Sequence, residues 1–245
     1  MKKILIILIL ILSVFSVANA HPFKSEKELY DYYAEIDKKI FTEKNKPIIR
    51  KKYPRKLTDK ELEQEQIPFS LKRYTVDEIV GNNKLVYNAF NYQLMSISQI
   101  NENNKEEGVI RTFDEDENLI SIAYIENSKG VMGIYREYYP WGVLKNETPY
   151  YTSEINGKLK NYYPDGLLKE EYTYYNNKKE GLATMYYESG QKFAIENYKN
   201  DLKNGDYYMY YENGNLGMKA FFVNGKREGT IEFYEEDGKK IEKNK

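Results

Sequence analysis

The sequence predicts a mainly β protein: an elongated antiparallel β-meander built from 24-residue hairpin repeats and preceded by a short α-helical segment. Two series of glycines and one column of tyrosines recur with this period. The first glycine series comprises Gly142, Gly166, Gly190, Gly214 and Gly238. The second lies nine residues earlier and comprises Gly133, Gly157, Gly181, Gly205 and Gly229. Between them stand Tyr138, Tyr162, Tyr186, Tyr210 and Tyr234. The agreement of three series on one period identifies a true repeat.

Each repeat unit is predicted to form two strands of about seven residues joined by short turns. Residues 210–216 carry two β-forming tyrosines, an Asn213-Gly214 dipeptide and a return to apolar residues. Asn-Gly is a strong hairpin signal because both residues tolerate positive φ. A second junction at 224–229, matched at 176–181, supplies the turn into the next unit.

The two faces of each strand differ in polarity. Counted back from the turn glycine, odd positions such as Tyr211 and Met209 are mostly apolar. Even positions carry the tyrosine column with polar residues such as Arg136 and Lys160. Because side chains alternate along a strand, we expect the column to face solvent. The candidate binding residues are therefore Tyr138, Tyr162, Tyr186, Tyr210 and Tyr234. Alternatively, the column only stabilises a thin sheet through aromatic pairs worth about 0.5–1.5 kcal/mol each.

The repeat resembles the MORN repeat variant family, whose units run Gly, a Tyr-Tyr pair, Asn-Gly or Asp-Gly, Leu, then an aromatic residue before Asn-Gly-Lys. The resemblance covers residues 108–245, and residues 85–107 read as one more eroded unit. Lys192 and Lys240 replace the leucine, and Ser189 and Trp141 replace Asn or Asp. The resemblance implies an extended β-meander used for binding, usually to proteins and in some discussions to membranes. Bacterial members also include antitoxins of toxin pairs.

Residues 21–84 are predicted to form a charged helical segment. Leu29, Tyr33, Ile36 and Ile40 recur at spacings of three and four and form one apolar stripe. Capping-box patterns predict helix starts at Ser25/Glu28, Thr58/Glu61 and Thr75/Glu78. Pro47, Pro54 and Pro68 divide the region, and the basic run at 50–56 is interpreted as a solvated loop.

Residues 1–20 are interpreted as a secretory signal peptide. Lys2 and Lys3 precede an apolar run from Ile4, and Ala18-Asn19-Ala20 provides the small-x-small cleavage pattern. The apolar stretch is shorter than the roughly 20 residues that a membrane-spanning helix needs. We therefore expect cleavage after Ala20, a mature chain with no membrane span, and a location in the periplasm, at the cell surface or outside the cell.

Catalytic and metal-binding patterns are not found in the sequence. It contains no cysteine, and its single histidine, His21, would begin the mature chain, so a Ser-His pair or a histidine metal site is not expected. The acidic run at 114–118 starts like a calcium loop, but Leu119 and Ile125 stand where that loop needs Gly and Glu. The net charge of −1 provides no basic surplus for nucleic acid.

The sequence thus predicts three regions: a signal peptide at 1–20, a charged helical segment at 21–84 and a repeat array at 85–245, clearest over 108–245. The expected function is that of an exported, non-catalytic protein–protein interaction module without cofactors. Two alternatives stay open. A Tyr-lined sheet is also suited to stacking sugars, which would make the chain a glycan-binding surface protein. An antitoxin or immunity protein is the other alternative, and the leader would then require an exported toxin.

Overall fold

The computed structural model describes residues 23–44, 75–88, 94–114, 116, 118–126 and 129–242. The signal peptide, His21, the Thr58/Glu61 box, the three prolines and the basic run lie outside these residues. Within them the chain forms one helix, α1 (Glu26–Lys44), and sixteen strands. The strands are β1 Thr75–Val80, β2 Asn83–Asn88, β3 Leu94–Ile100, β4 Glu106–Phe113, β5 Leu119–Glu126, β6 Gly130–Tyr138, β7 Leu144–Tyr151, β8 Glu154–Ile155, β9 Gly157–Tyr162, β10 Leu168–Tyr175, β11 Lys178–Tyr186, β12 Lys192–Lys199, β13 Leu202–Lys203, β14 Gly205–Tyr210, β15 Leu216–Val223 and β16 Lys226–Phe233.

The strands form a single antiparallel sheet in chain order. Each long strand pairs with the long strands before and after it, while the two-residue strands β8 and β13 pair with β7 and β12. A meander of this kind needs only short connections, which the repeated turn residues supply. The predicted fold class, a mainly β meander preceded by a short helix, is confirmed.

Helix α1 begins and packs as its sequence predicts. The Oγ of Ser25 accepts the backbone N–H of Glu28 at 3.2 Å, and the Glu28 carboxylate accepts the backbone N–H of Lys24 at 2.6 Å. The predicted stripe is buried: Leu29, Tyr33, Ile36 and Ile40 are each 1–3% exposed. Ile36 and Ile40 share a core cluster with Val109, Ile122 and Met132 from β4, β5 and β6. The stripe therefore attaches the helix to the sheet.

The sheet starts earlier than the sequence predicts. Thr75 and Glu78, interpreted as a helix start, lie in strand β1, which pairs with β2 across a turn at Gly81 and Asn82. Thr75, Val76, Ile79 and Val80 are β-branched and favour a strand, and this preference outweighs the local capping pattern. The predicted boundary at residue 84 therefore falls inside β2. Leu85, Tyr87, Leu94 and Ile97 form a second core cluster at this end of the sheet.

The two junctions of each repeat are turns, as predicted, and they use different backbone conformations. At the Asn213-Gly214 junction only Gly214 has positive φ, at 87°. Gly214 donates its N–H to the carbonyl of Tyr211 at 2.9 Å, and the Asn213 side chain accepts the N–H of Asn215 at 2.9 Å. Paired positive φ values occur instead at the second junction, where Asn176 has 46° and Asn177 has 65°. The predicted turn at Asn213-Gly214 is thus present, and a glycine bulge closes it.

Candidate functional site

One face of the sheet carries the helix, and the pairing register defines its residues. Directly opposed side chains lie on the same face of an antiparallel sheet. Starting from the strand beneath α1, one continuous row crosses the array through Arg136, Glu147, Lys160, Glu171, Thr184, Ile195, Tyr208, Lys219 and Glu232. We call this side the helix-side face and the other side the opposite face.

Polar contacts fix α1 on the helix-side face. The Arg136 guanidinium donates to both carboxylate oxygens of Asp37, at 2.8 and 2.7 Å, and its Nε donates to Glu147 at 3.2 Å. The Tyr33 hydroxyl donates to the carbonyl of Asn156 at 2.8 Å, and the Tyr30 hydroxyl accepts the backbone N–H of Lys158 at 2.8 Å. Burial raises the pKa of Tyr30 to about 12, so its phenol stays neutral at physiological pH.

Two of the five candidate tyrosines lie beside α1. Tyr138 packs against the cluster that contains Ile36 and Ile40, so the expectation that it faces solvent is wrong. The reason is that α1 docks on the more polar face, which strand alternation alone assigns to solvent. Tyr162 is half-buried and donates a hydrogen bond from its hydroxyl to Glu147 at 2.9 Å. The pKa of Tyr162 is raised, mainly by burial and to a lesser extent by the hydrogen bond to Glu147.

The other three candidates lie beyond the helix on the same face. Tyr210 packs near Tyr208, with ring centroids 6.5 Å apart, and the Tyr234 hydroxyl donates to Glu232 at 2.6 Å. Tyr186 is paired with Lys192 at the end of β11. All three are half-buried, so part of each side chain is available to a ligand. The structure therefore places the predicted column on one face but divides it between a covered and an uncovered part.

The second tyrosine of each Tyr-Tyr pair links adjacent repeats. The hydroxyls of Tyr139, Tyr163, Tyr187 and Tyr211 donate to the backbone carbonyls of Tyr162, Tyr186, Tyr210 and Tyr234, at 3.0, 2.7, 2.8 and 2.9 Å. Each bond joins one unit to the next at the same point. The fifth place in this column is Glu235, after which the described chain contains no further complete unit.

The second junctions link the repeats at the opposite ends of the strands. Asn177 donates its backbone N–H to the carbonyl of Ile155 at 3.1 Å, and its side-chain oxygen accepts the N–H of Ile155 at 2.8 Å. Asp201 makes the same pair of contacts with Lys179, at 3.1 and 2.7 Å. Neighbouring units are therefore joined at both ends of their strands. These links hold the units in a fixed position relative to one another.

Aromatic and charged groups on the opposite face contact one another. Tyr172 and Tyr198 form an edge-to-face pair at 6.3 Å, and the Lys179 ammonium lies 3.8 Å from the Tyr172 ring centroid. Glu196, only 6% exposed, accepts hydrogen bonds from Tyr198 and Lys203. Cross-strand aromatic pairs therefore occur on this face, outside the predicted tyrosine column.

Four apolar side chains are exposed on the helix-side face beyond α1. We call them the apolar patch: Leu182, Leu202, Phe221 and Val223, which are 51, 47, 45 and 38% exposed. Register places them on this face, because Leu182 opposes Asn197, Leu202 opposes Lys199, and Val223 opposes Lys226. Sequence reasoning missed the patch, although Leu182 and Phe221 stand on the same strand faces as Thr184 and Lys219 and could have been assigned by alternation.

The acidic turn after β4 is satisfied by its own backbone. The Asp114 carboxylate accepts the backbone N–H groups of Asp116 and Asn118, at 3.0 and 2.8 Å. Among the residues that the structure describes, no group of three or more acidic, His or Cys side chains is arranged to hold a metal ion. In the same part of the chain, no helix is both long and apolar enough to cross a membrane.

The geometry defines an antiparallel β-repeat protein whose units are joined at both ends of their strands. Residues 155–177, 179–200 and 203–224 each match the MORN repeat variant family. Three consecutive units within residues 155–224 are therefore MORN repeat variants, as the resemblance indicated. No curated protein matches the chain. The crystal structure of TarM is similar at 10% identity and a TM-score of 0.21, over 83% of this chain and 28% of TarM. The chain thus spans under a third of TarM, and a score this low supports no argument.

Proposed function

We propose that this chain is an exported, non-catalytic module that binds a partner protein through the uncovered part of the helix-side face. One observation carries the proposal: beyond α1, that face combines half-buried tyrosines with the exposed apolar patch. Tyr186, Tyr208 and Tyr210 supply aromatic surface with polar hydroxyls, a composition enriched at protein interfaces. Exposed apolar surface marks interaction sites on soluble proteins, and Phe221 and Val223 lie two residues apart on one face of β15.

The way the repeats are joined supports a binding role. Hydrogen bonds at both ends of the strands fix neighbouring units. The helix-side face is therefore preorganised, and little conformational entropy is lost when a partner binds. Repeat arrays commonly use such extended surfaces to contact partners. Export is supported by the leader pattern at residues 1–20, and the absence of cysteine permits folding in an oxidising compartment without disulfide pairing.

The test is affinity capture with residues 21–245 against extracts of the cell envelope and, separately, of the surroundings of the cell. The test variant combines Tyr186→Ser, Tyr208→Ser and Tyr210→Ser, which all lie in the uncovered part of the face. The control combines Ile79→Ser and Met95→Ser, which replace side chains that are 54 and 41% exposed near the other end of the sheet. Circular dichroism should show β-rich spectra for all three proteins.

One saturable protein partner that is lost only with the tyrosine variant is the expected result. Equal capture by the wild type and the tyrosine variant would exclude this face as the site. Capture of no protein, with tyrosine fluorescence that shifts on adding oligosaccharides, would favour the glycan-binding alternative. A captured exported toxin would make the chain an immunity protein and would identify the partner.

A further inference from the structure

The path that α1 follows on the sheet continues beyond the helix. Near its N-terminal end, Tyr30 meets the backbone of Lys158 at the start of β9. Further along the helix, towards its C-terminal end, Ile36 and Ile40 pack with Met132 and Val109. The helix therefore runs across the strands, along the direction in which the units repeat. Because the repeat has a fixed period, the columns beneath α1 recur past its N-terminal end.

A glycine column forms the floor of this path. At Gly133 an added Cβ would lie 2.6 Å from Ile36 Cγ2, and at Gly157 it would lie 3.1 Å from the Tyr30 hydroxyl. At both glycines the added Cβ would point towards the helix, so this glycine column faces α1. At Gly181 and Gly229, further along the column, no atom lies within 4 Å of the same position, whereas at Gly205, between them, the Cβ of Asn197 lies at 3.2 Å. The floor beneath α1 is therefore open at β11 and β16, and at β14 the Asn197 side chain lies against it.

Apolar residues border the open part of the path. Tyr151 contacts the rings of Phe23 and Tyr32, with centroids 5.1 and 6.0 Å apart. The same column continues with Tyr175 and Lys199, and three repeat periods later it holds Val223, which is 38% exposed. Leu182 and Phe221 lie on the same face and are 51 and 45% exposed. Where α1 buries aromatic side chains, the later units thus present uncovered apolar side chains interrupted by Lys199.

We propose that the apolar patch binds a second amphipathic α-helix, supplied by a partner protein and laid across β11–β15 in line with α1. This inference rests on the proposed function and specifies the form of the partner. The argument is continuity with the interface that α1 already makes: the same face, the same glycine column and an apolar border. A helix that fits would carry apolar or aromatic residues at i, i+3 or i+4, and i+7.

Charge near Phe221 adds a second requirement. Phe221 opposes Asp206 on β14 and Glu228 on β16, so a carboxylate lies on each side of this ring. In the α1 interface an ion pair between Asp37 and Arg136 stands beside the apolar stripe. Near Phe221 the partner helix is therefore expected to place a lysine or arginine beside its apolar stripe. Near Leu202 and Val223, which oppose Lys199 and Lys226, an acidic residue fits instead.

The experiment uses two phage-displayed peptide libraries selected against residues 21–245. The first places apolar residues at helical spacing, and the second has the same composition with scrambled spacing. Binders are then measured as synthetic peptides on three proteins: the wild type, the Leu182→Ser/Phe221→Ser variant, and the Ile79→Ser/Met95→Ser control. Circular dichroism reports whether each peptide becomes helical when it binds.

The expected result is helical binders from the first library only, with affinity reduced about tenfold or more by the patch variant and nearly unchanged by the control. Asp206→Asn should weaken the enrichment of basic residues among the binders. Any of three results would overturn the proposal: no binders, binders insensitive to the patch variant, or equal enrichment from the scrambled library. Self-association that the patch variant abolishes would also overturn it, because the occupant would be a second copy.

The envelope capture separates this inference from the proposed function. If capture yields a tyrosine-dependent partner while the helical library yields no binder, the interaction module stands and the helix inference fails. If neither experiment yields a tyrosine-dependent or patch-dependent ligand, both fail.

Discussion

The Tyr163 hydroxyl donates a hydrogen bond to the backbone carbonyl of Tyr186 at 2.7 Å, and this bond joins two consecutive repeat units. The same bond occurs at three further places in the array. Within each Tyr-Tyr pair, the two residues therefore differ in role. The second tyrosine ties units together, while the first presents its ring on the helix-side face. Tyr162, Tyr186 and Tyr210 accept the bond through their carbonyls.

Removing one of these links should destabilise the array measurably. Tyr163→Phe keeps the ring and deletes the donor, so the free energy of unfolding should fall by about 1 kcal/mol. Tyr186→Phe is the matched control, since within the described residues its hydroxyl makes no hydrogen bond, and it should change stability by less than about 0.5 kcal/mol. Urea unfolding measures both variants. Equal losses for the two would contradict the assigned role of the second tyrosine.

Two glycines with nearly equal φ allow the contact with α1 to be separated from backbone strain. Gly133 and Gly181 have φ of 79 and 80°, but only Gly133 lies beneath Ile36. Gly181→Ala should cost about 1 kcal/mol from the left-handed backbone alone. Gly133→Ala should cost about 1–3 kcal/mol more, because the new methyl group overlaps Ile36 Cγ2.

A double-mutant cycle with Ile36→Ala tests that explanation. Ile36→Ala removes the atom that overlaps, so Gly133→Ala should be less costly in this background. If Gly133→Ala and Gly181→Ala have the same cost by urea unfolding, the helix does not press on this glycine.

The ion pair of Asp37 with Arg136 should hold α1 on the sheet. Their side chains are only 20 and 10% exposed, and two hydrogen bonds join them. Asp37→Ala should therefore cost about 2 kcal/mol, while Glu147 partly compensates the remaining charge. Asp31→Ala is the control, because its side chain and that of Lys27, its ion-pair partner, are 65 and 83% exposed, and solvent screens such a pair.

Limited proteolysis gives a second measurement on the same pair of variants. Cleavage within residues 26–44 should become faster for Asp37→Ala and stay at the wild-type rate for Asp31→Ala. Equal protection in both variants would show that the apolar stripe alone holds the helix.

Patterns confined to one element or one repeat predicted the structure well. The stripe from Leu29 to Ile40 gave the buried face of α1, and the fixed period gave the meander and the shared face of the tyrosine column. These features depend on side-chain periodicity, which is visible in the sequence.

Features that depend on contacts between distant elements were missed. Tyr138 was expected in solvent because strand alternation cannot show which face receives a helix about 100 residues away in the chain. The Tyr163 link needs the register between two units. At Thr75 a local capping pattern competed with β-branched residues, and sheet pairing decided the outcome.

One substitution in the second junction at Thr152 and Ser153 should stabilise the protein. Both residues have positive φ, 51 and 64°, whereas later units use Asn176 and Asn177, which tolerate that region at lower cost. Thr152→Asn should therefore raise the free energy of unfolding by about 0.5–1 kcal/mol, because a β-branched residue is strained there. The reverse change, Asn176→Thr, should lower it by a similar amount. Thermal and urea unfolding of the two variants test both directions, and a shift of the same sign in both would contradict the explanation from backbone strain.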